Sequence, residues 1–143
     1  MDVDNFIKNI NNDWDNLDFK LSNDKDEVLL SSYLYIERYD KDSVLHIRVN
    51  SEGTIKVFFV FENIDFSFAV LSLINDFNNE NTMFTASIVN NEEDIKKYFL
   101  KIYSVLENSI DEIDTLNFVK LCLNKFICEK NQNAILSILK LTR

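Results

Sequence analysis

The fold is decided by residues 45–61, LHIRVNSEGTIKVFFVF, in which two segments of alternating character flank the only glycine of the chain. Both segments carry an apolar residue at every second position, namely Leu45, Ile47 and Val49, then Ile55, Val57, Phe59 and Phe61. A period of two residues is typical of β-strands. Gly53 lies where a hairpin turn needs a positive φ, which glycine adopts without steric cost. The stretch therefore predicts an antiparallel hairpin.

Another strand is predicted directly before this hairpin. Between Val28 and Glu37 the residues alternate again, and the segment is rich in tyrosine and apolar side chains that suit a pleated surface. Three successive strands with short turns form an antiparallel meander. Residues 15–27 are mostly polar, and we interpret them as a loop or a short edge strand.

Helical patterns lie on both sides of the meander. From Val3 to Trp14, apolar residues recur every three or four positions, and Asp2 or Asp4 can cap the helix. After the meander, the clearest helix of the chain has six apolar residues on one predicted face: Phe66, Ala69, Val70, Leu73, Ile74 and Phe77. Four polar residues at 78–81 end this helix, because their side chains compete for backbone hydrogen bonds.

The remaining residues complete an α+β domain. Residues 84–88 alternate and predict a short strand, whereas residues 95–106 fit both a helix and a strand, so periodicity leaves both open. Residues 111–127 predict an amphipathic helix, and residues 135–139 continue it or start another. We expect one α+β domain over residues 1–143, in which an antiparallel sheet packs against a central helix and a carboxy-terminal helix.

Residues 71–91, LSLINDFNNENTMFTASIVNN, resemble the YbjN-like bacterial domains, whose fold is shared with type III secretion chaperones. The shared features are an apolar helix that ends in an Asn-rich turn and a Phe-centred strand after it. Asn75, Asn78 and Phe84 occupy the places that match the N-x-x-N motif of the family. The order of helices and strands also agrees over nearly the whole chain.

This resemblance has three implications. It implies that residues 95–106 form a strand, so that a shorter strand pair follows the three-stranded meander. It also implies protein binding through a sheet and helix surface, commonly as a dimer. The family offers no catalytic residues to carry over to this chain.

The charge of the chain limits its binding partners. There are 15 Lys and Arg residues against 24 Asp and Glu, a formal net charge of −9. Such a charge repels phosphate backbones and anionic lipids, so direct binding of nucleic acid or of a membrane is not expected. Residues 1–95 carry 7 basic and 19 acidic side chains, whereas residues 96–143 carry 8 and 5. Acidic surface loops explain this asymmetry, and so does an acidic face that docks a basic partner.

The sequence also predicts a location. The longest uninterrupted apolar run, Val57 to Phe61, is far shorter than the roughly 20 residues that span a bilayer. Asp2 and Asp4 stand where a secretory signal carries basic residues. Cys122 and Cys128 do not make a disulfide framework, which fits a reducing compartment. We therefore expect a cytoplasmic protein.

Catalytic and metal-binding patterns are scarce in this sequence. One glycine is too few for either common phosphate-binding loop, and one histidine excludes sites that need several. We interpret His46, beside Arg48 on the outward side of its strand, as structural. Cys122 and Cys128 are six residues apart, so on a helix they point in different directions and cannot share one tetrahedral metal ion. We expect both to pack as small apolar residues. We expect no catalytic site, no cofactor and no metal site.

The strand at residues 55–61 carries large apolar groups on both of its faces. In one explanation the strand is central and helices cover both sides of the sheet. In the other, Phe58 and Val60, together with Tyr33 and Tyr35, form an exposed apolar patch that binds a protein partner or a second copy of the chain. The second explanation predicts a non-catalytic interaction module, chaperone-like or regulatory.

An alternative function depends on the acidic residues instead. Asp24, Asp26 and Glu27 are candidates for acidic docking to a basic partner. In this hypothesis the chain is a small inhibitor from a phage or mobile element, and it imitates nucleic-acid phosphates in the basic groove of a host defence protein.

Overall fold

The computed structural model describes residues 2–14, 16–94, 96–107 and 111–142. Within these residues the strands are β1 (Lys20–Asp24), β2 (Glu27–Ile36), β3 (Lys41–Asn50), β4 (Ile55–Ile64), β5 (Thr85–Asn90) and β6 (Tyr98–Leu106). The helices are α1 (Val3–Asp13), α2 (Phe68–Glu80), α3 (Glu112–Phe126) and α4 (Glu129–Lys140), and a 3-10 turn occupies Glu37–Tyr39. The predicted α+β class is confirmed.

All six strands belong to one antiparallel sheet in the order β1-β2-β3-β4-β6-β5. The predicted meander is β2-β3-β4, and the predicted strand pair joins the same sheet because β6 lies beside β4. Residues 98–106 form a strand, as the resemblance implied, while Ile95 lies outside the described residues. Residues 20–24 form an edge strand, which was one of the two interpretations of residues 15–27, and Gly53 has a φ of 84° in the β3–β4 turn.

The two amino-proximal helices begin at polar caps. The Asp2 carboxylate accepts a hydrogen bond from the backbone N–H of Asn5, as predicted for α1. In α2 the cap is Ser67, whose hydroxyl accepts from the N–H of Val70 at 3.1 Å. Of the six residues predicted to share one face of this helix, Phe66 precedes the helix, and Ala69 lies in its first turn and is exposed.

The carboxy-terminal region forms two helices rather than one. Ile127 and Cys128 separate α3 from α4, and side chains of the second helix close the break. The Asn131 amide donates to the carbonyl oxygen of Lys125 at 2.8 Å, and the Gln132 amide donates to that of Ile127. These bonds satisfy carbonyl groups that the end of α3 leaves without helical partners.

The main core lies between the helices and one face of the sheet. Phe59 from β4 stacks on Phe126 from α3, with ring centroids 3.9 Å apart, and its ring edge contacts Phe84. Tyr39 packs edge-on against Phe126 and Phe61, and its hydroxyl donates to the carbonyl oxygen of Phe126 at 2.8 Å. Burial raises the pKa of Tyr39, so it stays protonated as a donor.

All four described helices contribute to this core, and the sheet residues in it all lie on the Phe59 face. The expectation that helices cover both sides of β4 is therefore wrong for the described part of the chain. The reason is that the helices pack together beside one another, α1 with α3 and α2 with α4, and share one layer. None of the described helices lies over the opposite face of the sheet.

Candidate protein-binding face

We call the uncovered side of the four inner strands the open face. Its side chains are Glu27, Leu29, Ser31, Tyr33 and Tyr35 on β2; Asp42, Val44, His46 and Arg48 on β3; Lys56, Phe58, Val60 and Glu62 on β4; and Phe99, Lys101, Tyr103 and Val105 on β6. Residues that pair across an antiparallel ladder lie on the same face, so the register builds rows of neighbours. One row is Tyr33, Val44, Val60 and Lys101, and the next is Ser31, His46, Phe58 and Tyr103.

The four predicted partner-binding residues all lie on the open face, at different depths. Tyr33 and Tyr35 are 74% and 56% exposed, Phe58 is half-buried, and Val60 is only 8% exposed. Val60 is covered by its neighbours in the sheet, since Val44 and Lys101 flank it and none of the described helices lies above. Phe58 and Val60 therefore form the floor of the face, and the two tyrosines project from it.

An open groove of about 300 Å³ crosses this face. Its apolar lining is Leu29, Phe58, Val60 and Phe99, and its polar lining is His46, Arg48, Glu62 and Lys101. The rings of Phe58 and Tyr103, which are neighbours in the β4–β6 ladder, lie 5.6 Å apart between centroids. An apolar floor with charged groups at its edges is typical of a surface that binds another molecule.

His46 is held in the open face by a hydrogen bond that the sequence did not predict. Its Nδ1 lies 2.8 Å from the hydroxyl oxygen of Ser31, which is its partner in the β2–β3 register. Burial lowers the pKa of His46, the charges of Arg48 and Lys101 lower it further, and Glu62 opposes them. The ring is therefore neutral at pH 7. Ile36 pairs with Lys41 across the β2–β3 connection, and counting outward from this pair places residue 31 opposite residue 46. Knowledge of the strand register would therefore have predicted this hydrogen bond.

On β3 and β4 the charges of the open face are separated along the strands. On β3, Asp42 lies near one end and Arg48 near the other. On β4, Glu62 lies at the same end as Asp42, and Lys56 lies opposite Arg48 in the β3–β4 register at the basic end. Val44, Val60 and Phe58 lie between the two ends, with Lys101 and His46 in the same rows, and Glu27 of β2 lies beside Arg48 at the basic end.

The candidate acidic docking residues lie at one corner of the sheet. Asp24 and Glu27 are paired at the β1–β2 turn, and Asp26 lies in the turn between them. Asp24 and Asp26 are exposed, whereas a Glu27 carboxylate oxygen lies 3.8 Å from Nε of Arg48. The structure therefore brings the three together, but Glu27 belongs to the open face and already forms an ion pair with Arg48 there. Among the described residues, no group of three His, Cys, Asp or Glu side chains could hold a metal ion.

The Asn-rich turn that carries the family resemblance stabilises the fold. The Asn78 side chain donates to the carbonyl oxygen of Ala86 at 2.9 Å and accepts from its N–H at 2.6 Å. The Asn81 oxygen accepts from the N–H groups of two following residues, and its amide donates to Asn131 of α4. Asn75, the other asparagine of the motif, is exposed. The motif connects α2 to β5 and α4 rather than forming part of the open face.

The two cysteines differ in their surroundings. Cys122 is buried in the core, where desolvation raises its pKa to about 12 despite a hydrogen bond with Ser104. Cys128 is half-buried immediately before α4. The prediction that both pack as small apolar residues holds fully for Cys122. In the described part of the chain, no helix has the length and apolar character needed to cross a membrane.

Comparisons with known proteins agree with this fold. The chain matches no protein-family model, and a comparison with curated proteins found no match. Among solved structures it is similar to the crystal structure of YbjN from E. coli, described as a candidate transcription regulator, with 13% identity and a TM-score of 0.52. The similarity covers 97% of this chain and 89% of YbjN. The chain therefore has a YbjN-like fold, and at this identity the similarity concerns the fold alone.

Proposed function

We propose that this chain with a YbjN-like fold is a non-catalytic protein-interaction module, chaperone-like or regulatory, that binds a protein partner through its open face. The observation that carries the proposal is the one-sided packing of the sheet. Helices cover the Phe59 face, while Phe58, Tyr33 and Tyr35 remain accessible on the other. An accessible apolar centre with polar residues around it is typical of protein interfaces.

The chemistry of the open face supports binding rather than catalysis. Ser31 and His46 form a hydrogen-bonded pair, which is the minimal arrangement for an activated nucleophile. However, Ser31 lies inside β2, between β1 and β3, so the nearby backbone N–H groups serve the sheet ladders. Acyl transfer needs such donors to be aimed at a developing oxyanion. The pair therefore fits a role in fixing the side chains of the face.

Binding through the apolar centre and binding through the acidic corner make different demands on a partner. An apolar contact keeps its strength as salt rises, whereas contacts of Asp24 and Asp26 weaken because exposed charges are screened. A carboxylate placed in the apolar centre prevents binding there, because it would have to be desolvated without a partner. These differences separate the proposal from the nucleic-acid-mimic alternative.

The test identifies a partner and then measures its binding directly. The tagged full chain captures proteins from a lysate of the organism that encodes it, at about 50 and about 500 mM salt. The captured protein is purified, and its affinity is measured for the wild type and for Phe58→Asp, Tyr33→Asp and Phe68→Asp. Phe68 is the matched control, because its ring is 84% exposed at the start of α2 and lies off the open face. Tyr33 is so exposed that its replacement leaves the core intact.

We expect Phe58→Asp and Tyr33→Asp to weaken binding by at least about tenfold, and Phe68→Asp and salt to have little effect. Circular dichroism and thermal melting of each variant confirm that it is folded. Binding that survives both open-face changes overturns the proposal. If that binding is lost at high salt and in the variant with Asp24→Asn, Asp26→Asn and Glu27→Gln, the result supports the acidic inhibitor.

A further inference from the structure

We propose that the groove of the open face binds a small amphipathic organic acid. The carboxylate of this ligand is held by Lys101, Arg48 and His46. Its apolar body lies on Phe58 and Val60. The proposal goes beyond the proposed function, because such a ligand needs no protein partner. Both would occupy the same floor of the open face, so a bound acid and a bound protein exclude one another.

The groove has the size and the lining of a small-molecule site. Its volume of about 300 Å³ lies at the lower end of the range for ligand pockets, so it fits one small molecule. Four apolar side chains, two of them phenylalanines, offer contact area to an aliphatic or aromatic body: Leu29, Phe58, Val60 and Phe99. The other lining residues are polar, and groups of this kind fix the orientation of a ligand.

Lys101 is a cation without an anion. It is half-buried in β6, where Val60 and Ser87 are its neighbours on the two adjacent strands. Among the described residues, its ammonium group has neither an ion-pair partner nor a hydrogen-bond partner. A partly desolvated ammonium group is stabilised by an anion that approaches it. The groove therefore offers an unpaired positive charge beside an apolar floor, which complements an organic carboxylate.

Arg48 adds a second cation, part of whose charge Glu27 offsets. A carboxylate oxygen of Glu27 lies 3.8 Å from Nε of Arg48, which is longer than a hydrogen bond. Within the described part of the chain, no residue accepts a hydrogen bond from this guanidinium group, so its donors remain available to a ligand. A guanidinium group can donate two parallel hydrogen bonds to one carboxylate. Glu62, the carboxylate that lines the groove, lies at the end of β4 away from Arg48.

His46 indicates that positive charge prevails at the centre of the groove. Burial lowers the pKa of its ring most, and Arg48 and Lys101 each lower it more strongly than Glu62 raises it. Two further charged residues share a second cavity with the ring, and they have opposite signs: Asp18 and Lys20. In a chain with a net charge of −9, an anion therefore meets a favourable field at this place.

His46 also supplies a hydrogen-bond donor. Its Nδ1 lies 2.8 Å from the hydroxyl oxygen of Ser31, and among the described residues Nε2 has no partner. When Ser31 donates to Nδ1, the neutral ring carries its proton on Nε2, which can then donate to a carboxylate. Ser31 is thereby a positioning residue that fixes the tautomer of the ring.

The experiment compares three probes that share one apolar body, with the purified full chain and no partner protein. They are phenylbutyrate, its amide and phenylbutylamine, which carry an anion, a neutral group and a cation. Proton NMR follows binding through the imidazole resonance of His46, the only histidine. We expect phenylbutyrate to bind at least about fivefold more tightly than the amide, and the amine to bind more weakly than both. Phenylbutyrate, unlike the amide, should raise the pKa of His46, because a bound carboxylate stabilises the imidazolium.

Variants that remove single charges locate the carboxylate of the ligand. Lys101→Met keeps most of the apolar stem, so phenylbutyrate should bind at least about fivefold more weakly while the amide binds as before. Glu62→Gln removes the carboxylate that lines the groove, so phenylbutyrate should bind more tightly. Lys56→Met and Asp42→Asn are the matched controls, because these residues are exposed on the open face and do not line the groove. We expect them to change the affinity by less than about twofold.

The outcomes that overturn the proposal are distinct. Equal affinities for phenylbutyrate and its amide would do so, and so would a failure of phenylbutyrate to saturate the chain up to about 10 mM. An effect of Lys56→Met as large as that of Lys101→Met would show that overall charge governs binding, which also overturns it. Circular dichroism verifies folding, and if Lys101→Met does not fold, the three probes on the wild type still decide the question. The proposed function is tested separately, by partner binding of Phe58→Asp, so either can fail while the other stands.

Discussion

Phe59 stacks on Phe126 with an angle of only 4° between the ring planes, and this contact joins the central strand β4 to α3. The next residue toward the amino terminus, Phe58, points to the opposite side of the sheet and contacts Tyr103 there. Because successive side chains of a strand alternate between its faces, two adjacent phenylalanines belong to different surfaces. One stabilises the core and the other lies on the open face.

This alternation predicts different costs for two neighbouring substitutions. Phe59→Ala empties a fully buried aromatic site and should lower the free energy of unfolding by about 3 to 5 kcal/mol. Phe58→Ala should cost clearly less in the monomer, because its ring is only half-buried. Urea unfolding of both variants at low protein concentration measures the difference. Equal costs would mean that both faces of β4 are core.

The asparagines of the N-x-x-N motif should also differ. Asn78→Ala removes two hydrogen bonds to the backbone of Ala86 and should lower the free energy of unfolding by about 1 to 3 kcal/mol. Asn75→Ala is the matched control, and it should change stability by no more than about 0.5 kcal/mol because the side chain is exposed. Thermal or urea denaturation gives both values. A larger loss with Asn75→Ala would contradict the structural role assigned to Asn78.

His46 should titrate below the ordinary histidine pKa of 6.5, first because it is partly buried and second because Arg48 and Lys101 lie near it. The chain has one histidine, so a single imidazole resonance in a proton NMR titration reports this pKa.

The same shift has a consequence for stability. As the pH falls through 6.5, the unfolded chain binds a proton at His46 before the folded chain does. The stability contributed by this histidine is therefore present above pH 6.5, declines from there to the folded-state pKa, and is flat below it. His46→Gln should lack this component, so the difference between variant and wild type isolates it from the carboxylates. A folded-state pKa above 6.5 would reverse the sign and contradict the prediction.

The two thiols should react at very different rates in the folded protein. Cys122 is buried and its raised pKa keeps it protonated, whereas the nucleophile in alkylation is the thiolate. We expect iodoacetamide to label Cys128 in the native chain and to label both cysteines in denaturant. Mass spectrometry of the digested protein locates the label. Rapid native labelling of Cys122 would indicate frequent opening of the core between α3 and the sheet.

Local sequence patterns predicted the strands well because alternation is a property of neighbouring residues. The same alternation predicted that Phe58, Val60, Tyr33 and Tyr35 lie on one side of the sheet, without any knowledge of the register between the strands. The start of α2 was misplaced because Phe66 continues the apolar period, although the helix begins only after the Ser67 cap. Apolar spacing does not report which backbone N–H groups need a cap.

Features that depend on distant residues were harder to predict. Alternation cannot tell whether one face of a sheet or both faces receive helices, since that depends on how the helices share one layer. The Ser31–His46 contact depends on the register of two strands, and the Asn81–Asn131 contact joins residues 50 positions apart. Nothing in the spacing of single residues specifies such pairs.

The two hydrogen bonds between the Asn78 side chain and the backbone of Ala86 also hinder the addition of a further strand to the sheet. β5 is a terminal strand, and an unprotected terminal strand offers its backbone groups as a template for another chain. By occupying both backbone groups of Ala86, the Asn78 amide takes the place of a residue from an incoming strand. At the other edge, β1 is short and carries Lys20 and Asp24, which oppose strand addition. Continuous edge-to-edge polymerisation, the first step toward fibrous aggregates, is thereby opposed at both ends of the sheet.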